Sequence, residues 1–286
     1  MKPQFDNQVL SSFLLWFDHT LLNVGEAYQN TTGQFYNVSQ EFAGYQTYAS
    51  SYSQIVSDAS ITGATIPTGL YVGSNLVNVG QGAATGLYAI DYNNGRSYWS
   101  GEQGGNVTGS FATKDFNTFL TNRTEDEILF QSQYTNRNKI SNVVPTGLEP
   151  DTKTYPVVYI KNDGSTNDPF AFGGQDSTVI DIRAIVIADS QFEIDAIGSL
   201  FRDQARKYFS LFEASEMPFD QFGYYRNGTQ YNYNTVIAGK NESQKCFLEE
   251  VNISRFDRVL ENEVRKFNPN VYSTLIDFEV SKVRIP

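Results

Sequence analysis

Val9, Leu10, Phe13, Leu14, Phe17, Leu21 and Val24 recur at steps of three and four over residues 4–27, the spacing of one helical face. Leu15, Trp16 and Leu22 fall off that face, so the helix is apolar on most sides around its middle. Such a helix is enclosed rather than laid on a surface, either between two bodies of one chain or between two subunits. His19, beside Asp18 and on the side opposite Phe17, is expected to face solvent or to be simply hydrogen-bonded.

Beyond this first segment (1–32) the composition changes. From Gly33 to about Asn122, Tyr, Ser, Thr, Gly and Asn dominate, Lys nearly vanishes, and apolar residues come in short runs at 34–39, 69–73 and 107–112. The clearest pair of strands is 86–92 and 96–100, joined by Asn93-Asn94-Gly95, where Asn-Gly supplies the positive φ angles of a tight hairpin. The frequent turn residues predict an inserted all-β domain over 33–122, a small sandwich or barrel.

Thr124-Glu125-Asp126-Glu127 is a capping box that starts a helix running toward Asn136, its three acids suited to the positive end of the helix dipole. Pro145, Gly147 and Pro150 then mark a linker, so 123–154 reads as helix plus linker. In 155–286 a strand (155–161), a Gly/Asn-rich loop (162–176) and a β-branched, mostly buried strand (178–189) lead to a second capping box at Ser190 and Glu193. The helix after it carries Phe192, Ile194, Ile197, Leu200, Phe201, Ala205, Tyr208 and Phe209 on one face, and strands at 246–255 and 271–284 close the chain. The expected class is α+β, in the order helix, strand, strand, helix, strand, strand, with the β-domain inserted after the first helix.

The 286 residues include one His and one Cys, so neither a disulfide within the chain nor a four-ligand zinc site can form, and no metal or cofactor is expected. Cys246 reads as a small buried hydrophobe. A formal net charge of -11 repels phosphate backbones, which argues against sequence-specific nucleic-acid binding. No stretch approaches the roughly 18 apolar residues of a membrane helix. The N-terminus does not read as a signal peptide, and a protein made in the cytoplasm is expected.

Individual motifs have plain explanations. The glycines of 80–86 are one residue too widely spaced for a dinucleotide fingerprint and lie between strands. Asp91, Asn93, Gly95 and Glu102 imitate a calcium loop but belong to the hairpin, and the oxygen donors of 162–168 read as a polar turn. The neighbouring acids Glu125/Asp126/Glu127, Glu249/Glu250 and Asp189/Glu193 suit helix starts or exposed strand faces, so no catalysis is expected. What remains is aromatic density. Tyr45, Tyr48, Tyr52, Tyr88, Tyr92, Tyr98 and Trp99, with Tyr224, Tyr225, Tyr231 and Tyr233, suit a protein interface or sugar stacking. A sugar-binding face would place Tyr88, Tyr98 and Trp99 in one exposed row.

Three strings, Tyr155-Pro-Val-Val-Tyr-Ile-Lys161, Pro169-Phe-Ala-Phe-Gly-Gly174 and the run from Thr178 through Ser190 to Ile197, resemble virion structural proteins of contractile-tailed, T4-like marine bacteriophages. The element order is also similar to that of tail-terminator and neck proteins, which form sixfold rings where tail joins head. The resemblance implies a non-catalytic virion protein of the neck or head–tail junction, assembled in the host cytoplasm as a homohexameric ring. Its implied partners are other neck, tail tube or sheath proteins, around a channel that DNA crosses passively. The interface residues expected on this reading are Phe13, Trp16, Phe17, Phe170, Phe172, Tyr224 and Tyr225. The alternative is a baseplate or tail protein whose β-domain binds carbohydrate for host attachment.

Overall fold

The computed structural model describes residues 5–39, 41–80, 86–137, 153–171, 175–219, 226, 228, 230–255 and 271–284. It is a mixed α+β molecule, mostly β, in which one sheet nearly closes into a barrel and the other forms a half-barrel.

Helix α1 (Phe5–Asn23) leads into β1 (Tyr28–Asn37), β2 (Gln46–Ser50), β3 (Gly69–Val72), β4 (Asn75–Asn78), β5 (Leu87–Asp91), β6 (Arg96–Trp99) and β7 (Val107–Lys114). These seven strands pair antiparallel in the order β4-β3-β7-β1-β2-β6-β5. The two edge strands meet where the Gly80 N–H donates to the Leu87 carbonyl at 2.9 Å, which leaves little free edge. Phe35, Tyr48, Leu70, Ile90, Trp99 and Phe111 fill the interior.

The barrel begins at Tyr28 and its last strand ends at Lys114, rather than spanning 33–122. Strand β8 (Asn117–Leu120) leaves it for the other sheet. Composition does not change at this crossing, so it could not mark the boundary. The β5–β6 connection is also looser than a two-residue turn. Asp91 pairs with Arg96, only Gly95 among the loop residues has positive φ (63°), and a Cβ there would collide with the Tyr52 carbonyl oxygen.

The second unit comprises α2 (Glu125–Thr135), the short parallel pair β9 (Asn136–Arg137) and β10 (Lys153–Thr154), β11 (Val157–Ala171), β12 (Gln175–Ala188), α3 (Gln191–Arg202), β13 (Tyr208–Ser210), α4 (Tyr233–Ala238), β14 (Lys245–Ser254) and β15 (Tyr272–Arg284). Its six-stranded sheet has the order β13-β14-β15-β12-β11-β8, antiparallel except for β8 against β11. Both predicted helix starts form. The Thr124 N–H donates to Glu127 Oε2 at 2.9 Å and the Glu127 N–H to Thr124 Oγ1 at 3.4 Å, while the Glu193 N–H donates to Ser190 Oγ at 3.2 Å.

The sequence of β12 explains how this sheet is covered. Ile180, Ile182, Ala184, Val186 and Ala188 face α1 and α3, and the opposite face changes from Asp181 and Arg183 to Ile185 and Ile187 where α2 packs with Ile128 and Leu129. Strict alternation gives way to a continuous apolar run once both faces are buried.

Two expectations are corrected. The described residues of the expected loop, 162–171 and 175–176, are strand: β11 and β12 stay paired from Val157/Ile187 out to Ala171/Gln175. With both faces largely solvated there, the strand needs no apolar alternation, and the polar composition imitated a loop. The second helix stops at Arg202, so Tyr208 and Phe209 lie on β13, and Phe192, assigned to the apolar face, is 82% exposed.

Candidate functional site

The wide stripe of α1 is satisfied within the chain. Phe13 and Phe17 are fully buried and Trp16 is 7% exposed. The Phe17 ring stacks on Phe201 at 3.8 Å, Phe13 meets Phe278 at 4.8 Å, and Trp16 packs against Phe201 and Phe209. The helix is enclosed between two bodies of one chain, and the subunit-interface assignment of Phe13, Trp16 and Phe17 is corrected to core. Phe172, Tyr224 and Tyr225 lie outside the described residues, as does the side chain of Phe170, whose backbone belongs to β11.

The polar residues of α1 join the two sheets. Asp18, wholly buried, accepts from Lys114 Nζ at 2.8 Å on each oxygen and from Thr118 Oγ1 at 3.0 Å, which ties α1 to the end of β7 and to β8. His19 is also buried, not solvent-facing. Its Nδ1 lies 2.7 Å from Asp58 Oδ2, and its ring stacks on Tyr233 at 4.1 Å. A carboxylate only accepts, so Nδ1 carries the proton. Asp58 Oδ1 accepts from Ser60 Oγ (2.7 Å), Ser60 N (2.9 Å) and Tyr233 N (3.1 Å). Burial alone would raise the Asp58 pKa, but these bonds from His19, Ser60 and Tyr233 outweigh it and hold the carboxyl below its ordinary value.

Asp58 was not predicted. The available signal was Asp18-His19 within an otherwise apolar helix, because buried polar groups need partners.

This arrangement is not that of a nucleophile relay. A relay places acid and hydroxyl on opposite ring nitrogens, whereas Asp58 and Ser60 both lie on the Nδ1 side and the hydroxyl donates to the acid. Cys246 is fully buried, and burial pushes its thiol up to about 12, so it is not a thiolate at neutral pH. A polar cavity nearby, lined by Ser57, Asp91, Lys114 and Arg226 among others, has a volume of about 10 Å³, room for one water.

The remaining motifs disperse. Asp91 is held by Asn94 and Tyr98 within its hairpin, while Glu102 lies against Asn37. The oxygen donors of 162–168 are spread along β11: Asn162 accepts from Gly164 N, Asp163 pairs with Lys161 at 3.2 Å, and Asn167 accepts from Thr178. Among the described residues, no group of His, Cys, Asp and Glu has metal-binding geometry. No described helix is long and apolar enough to cross a membrane.

The exposed aromatic row is also corrected. Tyr98 and Trp99 are 3% and 0% exposed, because β6 turns Trp99 into the barrel and Phe42 covers Tyr98. Tyr88 is 54% exposed and stacks on Tyr45 at 4.1 Å.

On the half-barrel's outer face, Arg183 grips Asp277 (Nε at 2.6 Å, Nη2 at 3.2 Å) and Glu125 (3.0 Å), and Lys161 reaches Glu125 at 2.9 Å. Burial opposes ionisation of Glu125, but the bonds from Lys161 and Arg183 hold its pKa at about 2. The next row out pairs Glu250 with Glu279 and Glu279 with Asp181, three exposed acids side by side.

Compared with known proteins, the chain matches no protein-family model and no curated protein.

Proposed function

We propose that the chain is a non-catalytic structural subunit of a bacteriophage virion, placed at the neck or head–tail junction in a tail-terminator-like role and forming a ring, most simply a homohexamer. The observation that carries this reading is where the resembling strings fall. Their described residues lie in one contiguous piece of the half-barrel, from Tyr155 through β11 and β12 to the start of α3, and this piece displays Phe192 at 82% exposure and the exposed polar stretch 162–168 of β11. Surface of that kind suits contacts with other proteins. The polar groups at the barrel junction are committed to one another, which suits a rigid building block.

The test is the mass of the purified chain in solution at micromolar concentration. One species at an integral multiple of 32.1 kDa, six on the simplest form, supports the reading; a monomer throughout opposes it.

The stacked Tyr45–Tyr88 pair favours a second reading, a tail or baseplate protein whose barrel stacks a sugar ring on these tyrosines. Binding to a glycan array that is lost on Tyr88→Ala would support it, and an array without binding would remove it.

A further inference from the structure

On the ring reading above, we infer that successive copies meet head to tail through the two opposite edges of the half-barrel sheet, the β13 edge of one copy against the β11 edge of the next.

The edges differ in charge. At the β13 edge the end of α3 turns into the strand through Arg202, Asp203, Arg206 and Lys207, all exposed and cationic in sum, with Arg202 lying 3.9 Å from Asp203 and Tyr208 at 57% exposure, its ring tilted against Phe247 at 4.8 Å. At the other edge, β11 pairs on its outer side, among the described residues, only with β8 over Val157 to Ile160, and the strand continues past it to Ala171. This stretch carries exposed Asp168, with Asp181 opposite Gly164 and Asp6 at the start of α1 hydrogen-bonded to Ser165, while Asp163 is already paired with Lys161 and Arg183.

The β11 edge is unsuited to receiving another strand. Its register shifts between Asn162 and Gly164 and again between Pro169 and Ala171, and Pro169 has no N–H to offer. Contacts there are made by side chains, where charge decides the pairing. Two β13 edges would set cation against cation and two β11 edges acid against acid, so a two-fold dimer through either edge is disfavoured. Cationic edge to acidic edge is the complementary arrangement, and it is heterologous, the kind that closes into a ring. Tyr208 supplies an aromatic anchor beside the cations.

The test is sedimentation of the full-length chain and three variants, with circular dichroism to verify folding: Arg206→Glu/Lys207→Glu, Asp168→Lys/Asp181→Lys, and all four together. The expected result is an assembling wild type, a rise of at least about tenfold in dissociation constant for each pair, and recovery to within about threefold in the fourfold variant. If reversal at one edge disturbs folding, Arg206→Gln/Lys207→Gln replaces it, with a weakened assembly expected. A wild type that assembles while all variants assemble equally overturns the edge pairing and leaves the ring reading standing. Weakening by each pair without recovery in the fourfold variant also overturns it. A wild type that stays monomeric removes both.

Discussion

The two sheets solve the same packing problem differently. The barrel fills its interior from its own strands, with Phe35, Tyr48, Trp99 and Phe111 contributed within one 87-residue stretch. The half-barrel does not: its core takes Phe13, Trp16 and Phe17 from α1, Val56, Ile61 and Ala112 from barrel segments and Phe116 from the crossing into β8, alongside its own Phe201, Phe209 and Phe278. One region closes on itself. The other is completed by chain that precedes it, and the junction between them is fixed by two buried polar pairs, Asp18 with Lys114 and His19 with Asp58. Buried pairs of this kind impose a particular arrangement more than they add stability.

This asymmetry can be broken most forcefully at Trp16. Trp16→Asp removes a large aromatic and places a carboxylate among Phe13, Phe201 and Phe209, a cost of about 5 kcal/mol or more, comparable with the whole stability of a domain. The half-barrel should lose its fold while Trp99, then the sole tryptophan, keeps the emission of a buried indole. A red-shifted Trp99 would show that the barrel depends on its neighbour as well.

The junction is the next target. Asp18→Ala removes the carboxylate that neutralises the buried Lys114 ammonium and should cost about 3–5 kcal/mol in denaturant unfolding. The loss should appear in the half-barrel signal first, because α1 is its missing core element.

A smaller effect separates the outer face from the core. Glu125 has a folded pKa of about 2 against an ordinary value of 4.5, so its contribution is present above the unfolded value and is lost as pH falls from about 4.5 through about 2. Glu125→Gln should flatten the acid-induced loss of stability in that window; an unchanged profile would show that the pair with Lys161 and Arg183 is energetically silent. Asp58 acts in the same direction, with its contribution lost as pH falls through its lowered pKa. Smallest is Phe192→Ser, which should change stability by under about 0.5 kcal/mol, since the ring is already solvated.

The distribution of what the sequence disclosed follows the same physics. Both helix starts, the two-sided burial of β12 and the enclosure of α1 were legible, because each leaves a local pattern of spacing or side-chain type. The barrel boundary was not, since β8 shares the composition of the strands it leaves. The distal half of β11 was not, since its solvated residues 162–168 have no apolar period to read. Asp58 was hidden for a different reason. Its partners lie 39 residues earlier and 175 later, and only the tertiary fold brings them together. The interface assignment of Phe13, Trp16 and Phe17 failed because an all-round apolar helix demands burial without saying by what.

For the proposed virion role, the most direct measurement is electron microscopy of virions whose genome encodes this sequence, with gold-labelled antibody raised against the full chain. Label confined to the head–tail junction is the predicted result. Label confined to the distal end of the tail, or virions whose protein content lacks this chain altogether, would contradict the account.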